Sequence, residues 1–209
     1  GLLNLLCEFA PEPGRAVEKV TLRATALGIF DIFVNGARVG NEIDGMPTAD
    51  EYKPGWTDYR SRVFEYEYDV TSLCKENNRV VAEVSPGWWT GRISFGFYGF
   101  KPMAFAGEIE IEYADGENDV IATGEDWKAS ICGPVMFADI WDGEYYDATV
   151  PEPSIAPEAH EWVNAQFFTD YTCEIVLRSD PATSFFSAPS PLFAITAPST
   201  TVPNTARST

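Results

Sequence analysis

Pro54-Gly-Trp-Thr-Asp-Tyr-Arg60, Tyr68-Asp-Val-Thr-Ser-Leu73 and Ser85-Pro-Gly-Trp-Trp-Thr-Gly-Arg92 frame the stretch whose reading decides the fold. Between them lie two runs of strand character, Val63–Tyr68 and Arg79–Val84. In the first, Phe64, Tyr66 and Tyr68 alternate with Val63, Glu65 and Glu67, so the strand separates two chemically different environments. Asn77-Asn78 marks the turn, because asparagine tolerates left-handed backbone and hydrogen-bonds locally. Trp56, Trp88 and Trp89 crowd the flanking Gly/Pro loops. Such loops make either a buried lid over a sandwich edge or a sugar-stacking surface. Residue type favours the lid, since tryptophan is most often part of a core.

Working outward, the same period recurs on both sides. Leu2–Phe9 reads as a strand ended by Pro11-Glu-Pro-Gly14. Val20, Leu22, Ala24 and Ala26 share one face, and Phe30, Ile32 and Val34 another, with Gly28 between them at a bulge or a close backbone approach. Asn35-Gly36 turns the chain into Ala37–Gly40. Asn41–Lys53 reads as a polar excursion loop without regular structure. Phe105, Ile109, Ile111 and Tyr113 point inward, with Glu108, Glu110 and Glu112 as a solvated outer row, and Ala114-Asp-Gly116 turns into Asp119–Thr123. Trp127–Ser130 is a further strand, and Ile140–Asp147 follows a loop and ends the dense β region. Helical periodicity is scarce, so the class is all-β, with about eight strands in a two-sheet sandwich with jelly-roll connections. From Val150 prolines 151, 153 and 157 mark a linker. Residues 1–150 therefore read as one β-sandwich domain. Residues 151–209 read as a linker and the start of a following β module, with a short strand at Glu174–Arg178 and a Ser/Thr/Pro/Ala-rich tail too poor in apolar area to pack by itself.

At 209 residues the chain buries a core without needing disulfides or metal. Fourteen Lys and Arg against 32 Asp and Glu give a net charge of −18, which repels phosphate backbones and anionic membrane surfaces. Nucleic acid and membranes are thus not expected partners, and no apolar run reaches transmembrane length. Cys7, Cys74, Cys132 and Cys173 show no Cys-x-x-Cys; three pairings are open, and free buried thiols are favoured. The opening residues carry no basic segment of a signal sequence, and the compartment, cytoplasmic or exported, stays open.

The order Val34-Asn-Gly-Ala-Arg-Val-Gly40, Pro54–Arg60, Tyr68-Asp-Val-Thr71, Gly87-Trp88, Gly91-Arg92, Ile111–Gly116, Trp127–Ser130 and Asp142–Asp147 resembles the N-terminal domain of bacterial α-L-rhamnosidases. Sugar-binding sandwich domains of β-galactosidase-like glycosidases are the second resemblance. The first implies a jelly-roll sandwich of the galactose-binding type that precedes an (α/α)₆-barrel. In the family that barrel carries the acids that hydrolyse terminal α-L-rhamnosyl bonds with inversion. The resemblance implies a non-catalytic module that either scaffolds the barrel or binds a rhamnosyl-containing carbohydrate, with a purely structural interaction domain as the alternative. Ser85-Pro-Gly-Trp-Trp89 departs from the Gly-Asp/Asn-Gly-Trp of relatives.

Inverting hydrolysis needs two carboxyl groups roughly 6.5–9.5 Å apart, and spacing along the chain picks out no such pair among 32 acids. Asp142-Gly-Glu144 is the most tempting, but its structural reading, loop hydrogen bonds or a salt bridge to Arg60 or Arg92, is stronger, so no catalytic residue is assigned. His160 lacks the second histidine of a zinc protease motif. No cofactor is expected apart from calcium, for which Asn35, Asp44 and Asp50 supply oxygen ligands that surface acidity explains equally well. For carbohydrate the candidates are Trp88 and Trp89 with Asp142 and Glu144. Adjacent residues in extended chain point to opposite sides, so one ring anchors in the core while its neighbour faces out.

Overall fold

The computed structural model describes residues 1–40, 42–43, 46–47, 52–93, 95–97, 99, 101–169, 171–178 and 194–196. Their regular structure is strand, apart from two short 3₁₀ turns at Thr71–Leu73 and Pro157–Ala159. Two sheets face each other. The six-stranded one runs Val163–Asn164, Lys128–Ser130, Leu3–Phe9, Asn78–Ser85, Ile29–Val34, Ala37–Arg38. The seven-stranded one runs Gln166–Phe168, Ala194–Thr196, Ala104–Tyr113, Val17–Leu27, Arg62–Asp69, Glu174–Leu177, with Asn118–Ala122 beside Ala104–Tyr113. The pairings are antiparallel except for Glu174–Leu177, which lies parallel to Arg62–Asp69.

The alternating residues fill the space between the sheets as their period dictates. Val20, Leu22, Ala24, Tyr66, Tyr68, Ile109 and Ile111 come from one inner face, and Leu3, Leu5, Phe30, Ile32, Val80 and Ala82 from the other. Phe30 meets both Tyr66 and Phe105 edge-on, at centroid distances of 6.2 and 5.9 Å, and Phe105 leans on Trp127 at 5.9 Å. Such edge-to-face pairs add about 0.5–1.5 kcal/mol each beyond the area they bury.

Gly28 is the corner at which the chain passes from one sheet to the other. Its φ is +143°, and a Cβ there would come within 2.4 Å of the Ser85 carbonyl oxygen. The close backbone approach read from the sequence is therefore the one present. Asn35 and Gly36 both take positive φ, 53° and 84°, as a tight hairpin turn requires.

The outer row of glutamates is more than a solvated surface. Arg23 stands opposite it, with Nε donating to Glu67 at 2.8 Å and Nη1 to Glu108 and Glu110 at 3.1 Å each. Asn118 reinforces Glu110, and together with Arg23 it outweighs burial and holds that carboxyl below its usual value.

Other expectations shift in detail. Asn41–Lys53 is not wholly irregular, because Glu42–Ile43 pairs with Met46–Pro47. The loop expected before Ile140 contains a strand, Val135–Asp139, forming a hairpin with Gly143–Tyr146. Beyond Val150 the chain lays edge strands on both sheets, through Val163–Asn164, Gln166–Phe168 and Glu174–Leu177. Of the tail expected to pack poorly, Ala194–Thr196 pairs at Phe105 and with Gln166–Phe168, and the rest lies outside the described residues. All four cysteines are free, but only Cys7 is buried; Cys132 is exposed.

Candidate functional site

The loop Pro86–Arg92 leaves strand Asn78–Ser85 and presents its two tryptophans in opposite directions. Trp89 is 5% exposed. Its Nε1 donates to the Pro102 carbonyl at 2.8 Å, and its ring meets Tyr59 and Tyr171 edge-on at 5.3 and 5.1 Å. Lys101 Nζ lies 4.4 Å above the ring centroid. With Leu27, Val63 and Ala104 this ring forms a second, smaller core on the far side of the seven-stranded sheet, closed by Phe168, Tyr171 and Ile175. The lid reading holds for Trp89, and part of what packs on it, Phe168, Tyr171 and Ile175, comes from beyond Val150.

Trp88 faces the other way and is half-buried. It stacks on Trp56 with planes 5° apart and centroids at 6.4 Å, and meets Tyr52 at 5.5 Å. Trp56 and Tyr52 remain 63% and 55% exposed, so the trio presents an aromatic shelf to solvent. An open cleft of about 760 Å³ continues from Trp56 along Thr57, Ser61, Arg62, Phe64 and Glu174. Arg62 and Glu174 are register partners in the parallel pair, yet neither enters an ion pair among the described residues.

Asp142 and Glu144 belong to the hairpin Val135–Asp139/Gly143–Tyr146. Asp142 Oδ1 accepts from Arg92 Nη1 at 2.6 Å, the salt bridge that was one of the two expected; Arg60 pairs with Asp58 instead. Burial pushes Asp139 up, but the backbone N–H groups of Arg92, Trp141 and Asp142 outweigh it and hold the carboxyl below its ordinary value. A Cβ on Gly91 would meet Asp139 Oδ2 at 2.8 Å, which is why a glycine with φ +90° sits there. The hairpin is thereby pinned to the tryptophan loop. Its own aromatic side chains point outward: Phe137, Trp141, Tyr145 and Tyr146 are all exposed, with Phe137 and Tyr145 edge-to-face at 6.2 Å. Glu144 is exposed on the same hairpin.

Of the calcium candidates, Asp44 and Asp50 lie outside the described residues. The Asn35 amide is occupied by the fold: Nδ2 donates to the Leu73 carbonyl and to Asn78 Oδ1 at 2.8 and 2.9 Å, and Oδ1 accepts from Arg79 N at 3.0 Å. Among the described residues no group of three or more His, Cys, Asp or Glu is placed to hold a metal. Sequence reasoning missed Tyr52, Arg62 and Glu174 as neighbours of the tryptophans. Tyr52 sits in a stretch read only as polar loop, and Arg62 meets Glu174 through a parallel pairing that no local pattern announces.

The described residues thus form a two-sheet β-sandwich whose loops expose grouped aromatic side chains. The particular family follows from comparison: the model of the α-L-rhamnosidase N-terminal domain matches residues 15–185, and the chain belongs to that family. An α-L-rhamnosidase of Streptomyces avermitilis is 44% identical over 140 residues, covering 65% of this chain and 13% of that protein. One from Alteromonas sp. is 38% identical, covering 64% and 15%. Among solved structures, the S. avermitilis α-L-rhamnosidase complexed with L-rhamnose superposes with a TM-score of 0.62 at 40% identity, over 70% of this chain and 14% of that one. The Aspergillus terreus α-L-rhamnosidase gives 0.63 at 30% identity, over 71% and 17%. The chain thus spans 13–15% of the length of the relatives it matches in sequence.

Proposed function

We propose that this chain is the non-catalytic, jelly-roll module of an α-L-rhamnosidase, and that it scaffolds the catalytic (α/α)₆-barrel of the parent protein. The observation that carries the reading is the hairpin Val135–Asp139/Gly143–Tyr146. It is fastened through Asp139 and the Arg92–Asp142 pair, while Met136, Phe137, Trp141, Tyr145 and Tyr146 stay between 42% and 73% exposed. Exposed aromatics grouped on a fastened hairpin suit a docking surface, and they are costly without such a use.

The test has two parts. The 209-residue chain alone leaves aryl α-L-rhamnosides unhydrolysed, and turnover abolished by Glu144→Gln would sink the proposal. In the parent enzyme, Trp141→Ala with Tyr145→Ala lowers the thermal midpoint of the whole protein while sparing that of the isolated module. An equal drop in both would mean that the hairpin serves only the sandwich.

A second reading, carbohydrate binding, has its own support in the Tyr52–Trp56–Trp88 shelf beside the uncommitted Arg62 and Glu174. An aromatic face for the C–H side of a pyranose, next to a donor and an acceptor for adjacent hydroxyls, is the arrangement sugar recognition requires. Titrating L-rhamnose with and without calcium, followed by tryptophan fluorescence, decides it. A response that Trp56→Ala removes supports this reading, and silence at tens of millimolar leaves docking alone.

A further inference from the structure

The outer face of the six-stranded sheet carries a carboxyl group that neither docking nor sugar binding uses. Glu83 sits in the middle of strand Asn78–Ser85, in register with Asn4 on one side and Asp31 on the other. Its Oε1 is sealed from solvent and has no hydrogen-bond partner. Against it lie Glu152 and Ser154, whose hydroxyl hydrogen-bonds the carboxyl group; both belong to the segment Asp147–Ala156, a strap that runs back from the aromatic hairpin. The strap is tied to the hairpin's base by Asp147 N to the Pro134 carbonyl at 2.8 Å and by Tyr146 Oη to Glu152 at 2.8 Å. Within the strap, Ile155 N and Ala156 N donate to the Glu152 carbonyl at 3.1 and 2.9 Å, and Ser154 is 8% exposed.

The charges that face Glu83 are unevenly placed. From strand Ile29–Val34 comes Asp31, already held by Lys53 Nζ at 2.6 Å and Arg38 Nη2 at 2.9 Å. From the strap comes Glu152, whose named partner is the neutral Tyr146 hydroxyl. Along its own strand Arg79 pairs with Glu158 at 3.5 Å. Strand Leu3–Phe9 brings only the amide of Asn4 opposite it. The cations are committed elsewhere, and an ionised Glu83 faces Glu152 and Asp31 with only the Ser154 hydroxyl to help it. Burial first, then Glu152, then Asp31 against the relief from Ser154, push its carboxyl up to about 7.

We infer that Glu83 is a proton-operated latch for the strap Asp147–Ala156. With its proton on, Glu83 presents no charge to Glu152 and Asp31, and the strap lies closed over the sheet. When the proton leaves, Glu83 and Glu152 repel across the strap and its backbone opens more often. No bond is made or broken beyond the O–H of one carboxyl group, whose proton goes to water.

The experiment uses the 209-residue chain. Carbon-detected NMR of the glutamate carboxyls follows Glu83 through pH 4 to 9, and hydrogen exchange at Ile155 and Ala156, corrected for intrinsic rates, is followed alongside. The expected result is a Glu83 midpoint well above that of exposed glutamates, with strap protection falling roughly tenfold across the same window. Glu83→Gln makes protection independent of pH, and Glu152→Gln, which leaves the sheet untouched, moves the Glu83 midpoint down. A Glu83 midpoint in the ordinary glutamate range, strap protection flat in wild type, or a pH dependence that survives both substitutions overturns the inference.

Discussion

The two outer faces of the sandwich both gather carboxyl groups, and they place their cations differently. On the seven-stranded sheet Arg23 reaches Glu67, Glu108 and Glu110 at once, and Glu110 is held below its usual value. On the six-stranded sheet Asp31 takes both nearby cations, Lys53 and Arg38, and Glu83 is left to rise to about 7. Burial is the largest influence on Glu83. On the seven-stranded sheet burial likewise pushes Glu65 up although Arg23 pulls it down, whereas the little-buried Glu110 is held down by Asn118 and Arg23.

That contrast can be broken hardest at Lys53, which is 1% exposed. Lys53→Met leaves Asp31 half-paired beside Glu83, and is expected to cost about 3–5 kcal/mol by urea unfolding. Arg23→Gln removes the cation that reaches Glu67, Glu108 and Glu110 on the other face. Because its carboxylates are partly exposed, the loss is smaller, about 1–2 kcal/mol, and the Glu110 midpoint rises. Glu83→Gln runs in the opposite direction. Glu83 has an ordinary value of 4.5 in the unfolded chain and about 7 in the folded one, so folding favours its protonated form. Stability is full below about 4.5, falls as pH rises towards about 7, and is level above that. At pH 8 the amide should therefore be more stable than wild type by about 1 kcal/mol, discounted for partial exposure, with no difference at pH 4. The smallest effect is expected at Glu112, whose pair with Lys19 spans 4.0 Å between half-exposed side chains. Glu112→Gln should shift unfolding by less than about 0.5 kcal/mol.

Sequence carried the inner faces and lost the outer ones. Phe30, Ile32, Val34, Tyr66, Tyr68, Ile109 and Ile111 announce themselves by period, and each is in the core. The opposed tryptophans and the Arg92–Asp142 pair were also legible, the first from strand alternation and the second from charge. Arg23 among the glutamates was not, since register between strands 85 residues apart is a tertiary fact. Glu83 looks like any polar residue on the solvent side of a strand until Glu152 and Ser154 of the strap are seen against it. Val135–Asp139 is too short to show its period, and strand Glu174–Leu177, though foreseen, gave no sign that its partner would be Arg62–Asp69 in parallel. The tryptophan loop was expected as a buried lid over the sandwich edge, but nothing local announced that Phe168, Tyr171 and Ile175 from beyond Val150 would pack on Trp89.

Strand Leu3–Phe9 has a consequence for how the protein is made. It lies in the middle of its sheet, between Asn78–Ser85 and Lys128–Ser130, and every side chain in it but Glu8 is buried. A ribosome adding roughly 5–20 residues per second delivers this strand several seconds before its first partner and later still before its second. Through that interval an apolar strand waits with both edges open, the condition under which nascent chains associate with one another. The yield of folded protein should therefore respond to what shields the emerging chain during translation more than to anything added after release.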